Sequence, residues 1–325
     1  MVQPRTRMNS DKRLLTVFGG SGFLGRYLLR HLARKGYMVR VVTRDVRAAG
    51  FVRVYGEVGQ IAPVYGSLRD RRSIESNVQG AEAVINLIGI LREPLLSRGA
   101  FQAVHHEGAR RIAVCAAEAG VARLIHVSAL GVHQVPSSRY ARSKVQGEQA
   151  VREVFPTATL VRPGLVFGYE DRFFPLFASL ARFTPVLPVF GTHALWGLSR
   201  RGTRLHPVYV GDVARAIVAL LAMPSMKGQD IDIVGPQAYP FGALMAMIAR
   251  ATKRQRLLLP MPLWLARLLS YATNVLPGRL LTPDNVRLLA YDNVAEDSGA
   301  LMRLGIRPQA LEDHLPSLLQ RFTKK

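Results

Sequence analysis

Cysteine is nearly absent: Cys115 is the only one in 325 residues. One thiol excludes an intramolecular disulfide framework and leaves no cysteine cluster for zinc, which suits a reducing compartment. Acidic residues are scarce as well. The chain carries 22 Asp plus Glu against 44 Lys plus Arg, a formal charge of +22, and no acid lies between Asp171 and Asp212 or between Asp232 and Asp284. Long apolar runs are missing too. Leu257 to Ala266 is broken by Pro260 and Pro262 and ended by Arg267, short of the roughly 20 residues a helical membrane span needs. Met1 to Arg13 is basic and polar without the apolar core of a secretory signal, and reads as a short arm. The eight histidines show no ligand spacing. His105 and His106 are adjacent and would point in different directions on a helix, so no metal is expected.

Against these absences stands Gly19-Gly20-Ser21-Gly22-Phe23-Leu24-Gly25. It follows Leu14 to Phe18, an apolar run that reads as a buried parallel strand, and precedes Tyr27 to Leu32, which has helical apolar spacing. Strand, glycine turn and helix in that order are the setting of a dinucleotide loop. Gly19 permits a tight turn, Gly22 lets the backbone approach phosphates, Gly25 lets helix and strand pack closely, and the helix start supplies partial positive charge. Glycine is also the default turn residue, so the flanking elements carry most of the argument.

The next strand, Met38 to Val42, ends at Thr43-Arg44-Asp45. An NAD site places a carboxylate on the adenosine ribose here, whereas an NADP site favours a guanidinium for the extra phosphate. Thr43 stands at the carboxylate position, with Arg44 beside it and Arg47 one turn on. This favours NADPH; the alternative, in which Asp45 takes the ribose and Arg44 is merely solvated, differs by one residue of alignment.

Downstream, Tyr140 and Lys144 stand four apart on a predicted helix, the spacing of a tyrosine and a lysine that face a nicotinamide ring. Strands are expected at Ala83 to Gly89, Leu124 to Ser128 and Ala158 to Gly164, with a helix over Gly108 to Ala119. His206 to Ala214 leads into another helix, and the tail after about Pro236 has a mainly helical pattern punctuated by prolines. The expected fold is α/β: a Rossmann-type, doubly wound parallel sheet with a smaller, mainly helical C-terminal lobe. Residues 12–170 form the dinucleotide-binding unit, to which 205–235 returns, and 171–325 forms an interleaved docking lobe.

These motifs resemble the extended and atypical short-chain dehydrogenase/reductase superfamily over roughly Leu14 to Ile233. The resemblance implies that Lys144 lowers the pKa of Tyr140 and holds the ribose, that Tyr140 acts as acid or base, and that a hydroxyl orients a carbonyl. Ser128 is the candidate for that hydroxyl, yet extended members usually carry it two residues further on, where this chain has Leu130. No residue is therefore assigned as catalytic; Tyr140, Lys144 and Ser128 are vestigial candidates. The candidate cofactor contacts are Gly19, Ser21, Gly22, Phe23, Leu24, Gly25, Arg44, Arg47, Leu87, Ile88, Gly89, Ser128, Tyr140, Lys144, Pro163, Gly164 and Val166.

Ser138 to Lys144, Glu170 to Leu180 and Pro260 to Leu263 carry a narrower resemblance, to the nucleotide-binding accessory subunits of respiratory complex I, the NADH:ubiquinone oxidoreductase. It implies a structural subunit with bound NADPH that is not turned over. It further implies docking at the junction of the peripheral and membrane arms near the quinone site. The face would be the cytoplasmic one of a bacterial inner membrane, or the matrix one if organellar. The acid-free stretches fit such docking. Arg172 to Phe177, Arg182-Phe183, and Lys253 to Arg256 followed by Leu257 to Leu265 set cations beside apolar side chains, which suits anionic lipid headgroups or an acidic partner. The competing account of Phe173, Phe174, Phe177, Leu263 and Trp264 is core packing. No nucleic-acid motif accompanies the charge. The alternative functions are an active NADPH-dependent reductase or epimerase on a lipid-like or nucleotide-linked substrate, and a redox sensor using the same residues.

Overall fold

The computed structural model describes residues 13–93, 99–192, 202–273 and 282–324. The N-terminal arm and parts of both acid-free stretches lie outside these residues. The first half runs β1 (Leu14–Phe18), α1 (Phe23–Arg34), β2 (Met38–Thr43), β3 (Ile61–Tyr65), α2 (Arg71–Val78), β4 (Ala83–Asn86), α3 (Gly108–Glu118), β5 (Arg123–Val127), α4 (Arg139–Val154) and β6 (Thr159–Pro163). The second half runs β7 (Leu165–Phe167), α5 (Phe173–Phe183), β8 (Val186–Thr192), β9 (Arg204–Leu205), β10 (Pro207–Tyr209), α6 (Val210–Ala222), β11 (Asp230–Ile233), β12 (Tyr239–Pro240), α7 (Phe241–Ala251), β13 (Leu257–Pro262), α8 (Leu263–Thr273), α9 (Pro283–Leu288), α10 (Ala300–Arg303) and α11 (Leu311–Leu318).

Seven parallel strands form the central sheet in the order β11-β6-β5-β4-β1-β2-β3. The chain moves outward from β1 through β2 and β3, then returns to β4 on the other side, so the strand order reverses between β1 and β4. That reversal opens a crevice at the carboxyl ends of the strands. Apolar side chains cover both faces, as a parallel sheet requires. On one face Leu28, Leu29 and Leu32 of α1 pack with Val213, Ile217 and Leu220 of α6. On the other, Ile74 and Val78 of α2, Ile112 and Ala116 of α3 and Val151 of α4 surround Val84 and Leu124.

A separate core holds the later elements together: Phe167, Phe174, Phe177, Phe190, Phe241, Leu244, Ile248 and Leu315. The core-packing account holds for Phe174 and Phe177, which are buried, and for the partly buried Phe173 and Leu263. Trp264, at 57% exposure, is not core. The tail is less helical than its pattern suggests. Leu257 to Pro262 forms β13, paired in parallel with β8, with a register shift at Met261/Pro262; Pro260 and Pro262 are tolerated because this small sheet has only two strands, each with an open edge. Among the described residues no helix is long and apolar enough to cross a membrane.

Candidate nucleotide site and the tyrosine–lysine pair

The glycine loop lies at the mouth of the crevice. Gly19 has φ +80°, and a Cβ there would sit 3.2 Å from the backbone of Leu87 and Ile88. A side chain on Gly25 would lie 2.3 Å from the Gly20 carbonyl oxygen, so helix and loop can approach this closely only with glycine at that position. The Gly22 amide donates to Gly19 O at 3.0 Å, and Gly22 is the residue before α1. Gly20, to which the sequence reading gave no role, packs against Val41, with a would-be Cβ 3.0 Å from that side chain. The loop therefore keeps a narrow backbone cradle, with Phe23 and Leu24 opening the first turn of α1, whose amides have no carbonyl partner one turn back. Ser21 stands beside them, its carbonyl accepting from Arg26 Nε at 3.4 Å.

At the end of β2, Asp45 is turned forward. Its carboxylate accepts from the Ala48 amide at 2.9 Å, and its own amide donates to Thr43 Oγ1 at 3.2 Å. Arg44 and Arg47 are exposed on this turn.

The end of β4 is shaped by a side chain. Asn86 Oδ1 accepts from the Ile88 amide at 3.0 Å, and Asn86 Nδ2 donates to His126 Nδ1 at 3.0 Å. This turn ends the strand at Asn86, three residues before the expected Gly89, and sets Leu87, Ile88 and Gly89 across from the glycine loop. Gly89 adjoins Lys144: a Cβ would be 3.3 Å from Nζ. Lys144 donates to Val127 O at 3.2 Å. Burial pulls its pKa down to about 8, with Glu148 opposing the shift.

Tyr140 is buried against Phe101 and His105, edge-on at ring-centroid distances of 5.7 and 5.4 Å. Burial first, and the Asp284 carboxylate second, push its pKa up to about 12. That direction is opposite to the lowering which the resemblance implies. A relay of hydrogen bonds fixes the pair's surroundings. The Ile90 amide donates to His105 Nε2 at 3.0 Å, His105 Nδ1 meets Ser143 Oγ at 2.8 Å, and Ser143 Oγ donates to Tyr140 O at 2.7 Å. The network assigns the proton of a neutral His105 to Nδ1. Its pKa is held down to about 2 by burial and then by the Lys144 and His126 charges.

Ser128 is buried beside Glu148 without the alignment of a full hydrogen bond. Leu130, at the position where a hydroxyl is usual, packs with Val234 and Ala295. Pro163 ends β6, and Gly164 links it to β7: a side chain on Gly164 would meet His206 O at 2.2 Å, the same oxygen that accepts from the Leu165 amide at 3.0 Å where β7 pairs with β10. Val166 pairs in register with Val208.

The sequence reading missed Glu148. It lies one turn beyond Lys144, 3% exposed, and its carboxylate receives Arg162 and, at 2.8 Å, His133 Nε2. Burial raises its pKa, yet the Arg162 hydrogen bond and charge outweigh that and hold it below its ordinary value. The signal was present: Tyr140, Lys144 and Glu148 recur every fourth residue, on one face of a helix. Among the described residues, Glu75, Cys115 and Glu118 form the one group with metal-ligand proximity. Arg71 pairs with both carboxylates, and burial pushes the Cys115 thiol up to about 11, so it stays protonated.

Residues 15–234 match the NAD dependent epimerase/dehydratase family. The chain is 37% identical to the NADH dehydrogenase (ubiquinone) 1 alpha subcomplex subunit 9, mitochondrial, of Mus musculus, over 94% of this chain and 79% of that one. It is 32% identical to a ceramide reductase of Caulobacter vibrioides, over 78% of this chain and 76% of that one. The structure of the NADPH-dependent quinone oxidoreductase QOR2 of Escherichia coli, complexed with NADPH, shares the fold at a TM-score of 0.73 and 17% identity, over 94% of this chain and 99% of that one.

Proposed function

The chain belongs to the NAD dependent epimerase/dehydratase family, and from that premise we propose that it is an accessory subunit of respiratory complex I that holds NADPH without turning it over. One observation carries the reading. The family match ends at residue 234, whereas the match to the subunit 9 chain spans 94% of the protein and so continues into the tail. The tail is the part a partner would recognise.

The cradle fits a dinucleotide. Gly19, Gly22 and Gly25 leave room for a pyrophosphate at the start of α1, and Arg44 is the charged side chain left at the end of β2 once Asp45 has turned to Ala48. Bound there, the cofactor supplies a hydride donor; what the chain provides is a place to hold it. Three features at and around the tyrosine support retention without turnover. Its pKa is raised, Leu130 replaces the carbonyl-orienting hydroxyl, and Leu288 of α9 packs onto the cluster of Phe101, Val132 and Tyr140. Removing that donor sacrifices transition-state stabilisation and leaves ground-state cofactor contacts in place.

Docking is served by the lobe of residues 171–325. Phe183, Leu257, Trp264, Leu268 and Tyr271 are 76, 59, 57, 63 and 55% exposed, with exposed Arg182, Lys253 and Arg267 beside them in sequence. Exposed apolar side chains beside cations suit partner subunits at the arm junction and the headgroups beside them. Arg256, by contrast, is tied into the fold through Nε to Ala181 O at 2.7 Å. Gentle purification of the parent complex tests the reading. The protein is expected to travel with complex I, and Arg182→Glu/Lys253→Glu/Arg267→Glu to lower the co-purified fraction several-fold, more so at higher salt. Migration away from the complex in the unmodified protein would contradict it.

A second reading, an NADPH-dependent reductase acting on a lipid-like substrate, is favoured by the retained Tyr140 and Lys144 and by the ceramide reductase relative. It predicts substrate-dependent NADPH oxidation that Tyr140→Phe abolishes.

A further inference from the structure

At the end of the sheet remote from the glycine loop, a cavity of about 470 Å³ opens between α1, α6 and the segment before β1. It lies at the far end of α1, twelve residues and thus about 18 Å from the loop. The volume falls in the range of small-molecule sites, about 300–1,000 Å³. Four permanent cations from three places in the chain meet there: Arg13, Arg34, Lys35 and Arg215, with His31 among them and no carboxylate in the lining.

Two of these charges are already used. Arg13 pairs with Glu82 at 3.1 Å and donates to Tyr37 Oη at 2.6 Å, and Arg215 pairs with the fully buried Asp212. Arg34 and Lys35 have no ion-pair partner among the described residues. A helix C-terminus favours cations in its last turn, which accounts for Arg34 and His31 but not for the convergence of Arg13 and Arg215 from other elements. The rest of the lining is apolar. Val218 and Ala222 lie four apart on one face of α6, and Ile306 and the Tyr37 ring complete the floor.

We infer that this cavity is a binding site for a phosphate monoester carrying an apolar chain. Two unpartnered cations match the charge of a monoester, about −1.5 to −2 near neutral pH, and guanidinium groups suit its oxygens. The alkyl chain lies along Val218, Ala222 and Ile306, where its burial favours binding. His31 reports on the site. Burial, then the Arg34, Arg215 and Arg30 charges, hold its pKa below the ordinary value, and a bound dianion moves it back up.

The test is calorimetric titration of the full chain with monomeric dodecyl phosphate, with inorganic phosphate and dodecyl maltoside as comparisons. His31 is followed by NMR. Vesicles containing phosphatidic acid form a further arm: binding to these, to the soluble monoester, or to both supports the site and identifies the source of its ligand. Saturable dodecyl phosphate binding with a rise in the His31 pKa is expected. Arg34→Glu/Lys35→Glu and, on a separate element, Ala222→Glu should each weaken it at least tenfold, with native-like amide spectra. Binding to neither monoester source, equal binding of inorganic phosphate or of dodecyl maltoside, or unchanged affinity in both folded variants would overturn the assignment.

Discussion

The carboxylate of Asp284 accepts a hydrogen bond from the backbone amide of Tyr140 at 3.0 Å, and it also takes the Arg139 amide and the Ser138 hydroxyl, each at 2.8 Å. Ser138 in turn caps α4 internally through the Ala141 amide at 3.1 Å. A residue 144 positions away in sequence thus completes the first turn of the helix that carries the tyrosine. Asp284→Ala strips a charged cap from the first amides of α4, and the expected loss is about 1–2 kcal/mol in urea unfolding. Because the Asp284 charge is the lesser cause of the raised Tyr140 pKa, the phenol should fall from about 12 yet stay above its ordinary value. Ultraviolet titration against Tyr140→Phe measures this.

Arg44 is expected to set cofactor preference. The unmodified protein should bind NADPH well above NADH, and Arg44→Glu should reverse or abolish the preference by setting a carboxylate against the ribose phosphate. Fluorescence titrations with both cofactors decide it; equal affinities in the unmodified protein would remove Arg44 from the site.

Asp171 gives a pH signature. Its carboxylate accepts from the Phe174 amide at 3.0 Å and the Gly168 amide at 3.2 Å, but burial outweighs those bonds and raises its pKa to about 6. The folded state therefore binds the proton more tightly than the unfolded one. The stability this contributes is complete below about pH 3.8 and is lost as pH rises through about 6. Asp171→Asn keeps an acceptor without the titration, so the difference in unfolding free energy between the two proteins should shift by on the order of 3 kcal/mol across that interval, in favour of the variant at the higher pH. Parallel denaturant curves at pH 4 and pH 7 measure it.

The glycine loop, the strand before it and the Tyr140 to Lys144 helix were legible because each is a local pattern: a run of apolar residues, a turn that needs φ above zero, a spacing of four. The Leu130 departure was legible as well, since it is a fixed offset from the Val127 strand end. Apart from Glu148, whose spacing was local, several features that the sequence hides are held by distant partners. Asp284 carries no signal that it caps α4, and its partner Ser138 looks like an ordinary turn residue. β13 was read into a helical tail because its apolar run has no alternation and its partner β8 lies more than sixty residues away. Ile61 to Tyr65 carries Pro63, which weakens a strand pattern, yet β3 sits at the sheet edge, where a proline costs no inner ladder bond.

The central claim is that the cofactor is held and not consumed, and the most direct measurement compares Gly22→Asp with Tyr140→Phe in the assembled complex. A carboxylate at position 22 places bulk and negative charge in the pyrophosphate cradle, emptying the site and removing the RT ln(1 + [L]/Kd) that a ligand of the folded state adds to stability. Loss of the phenolic oxygen alone leaves the cradle intact. Assembly and NADH:quinone turnover should therefore collapse in Gly22→Asp and remain near normal in Tyr140→Phe. If Tyr140→Phe instead impairs the complex as severely as Gly22→Asp, or abolishes an NADPH-dependent conversion, the nucleotide is a reactant and the account of a held cofactor is wrong.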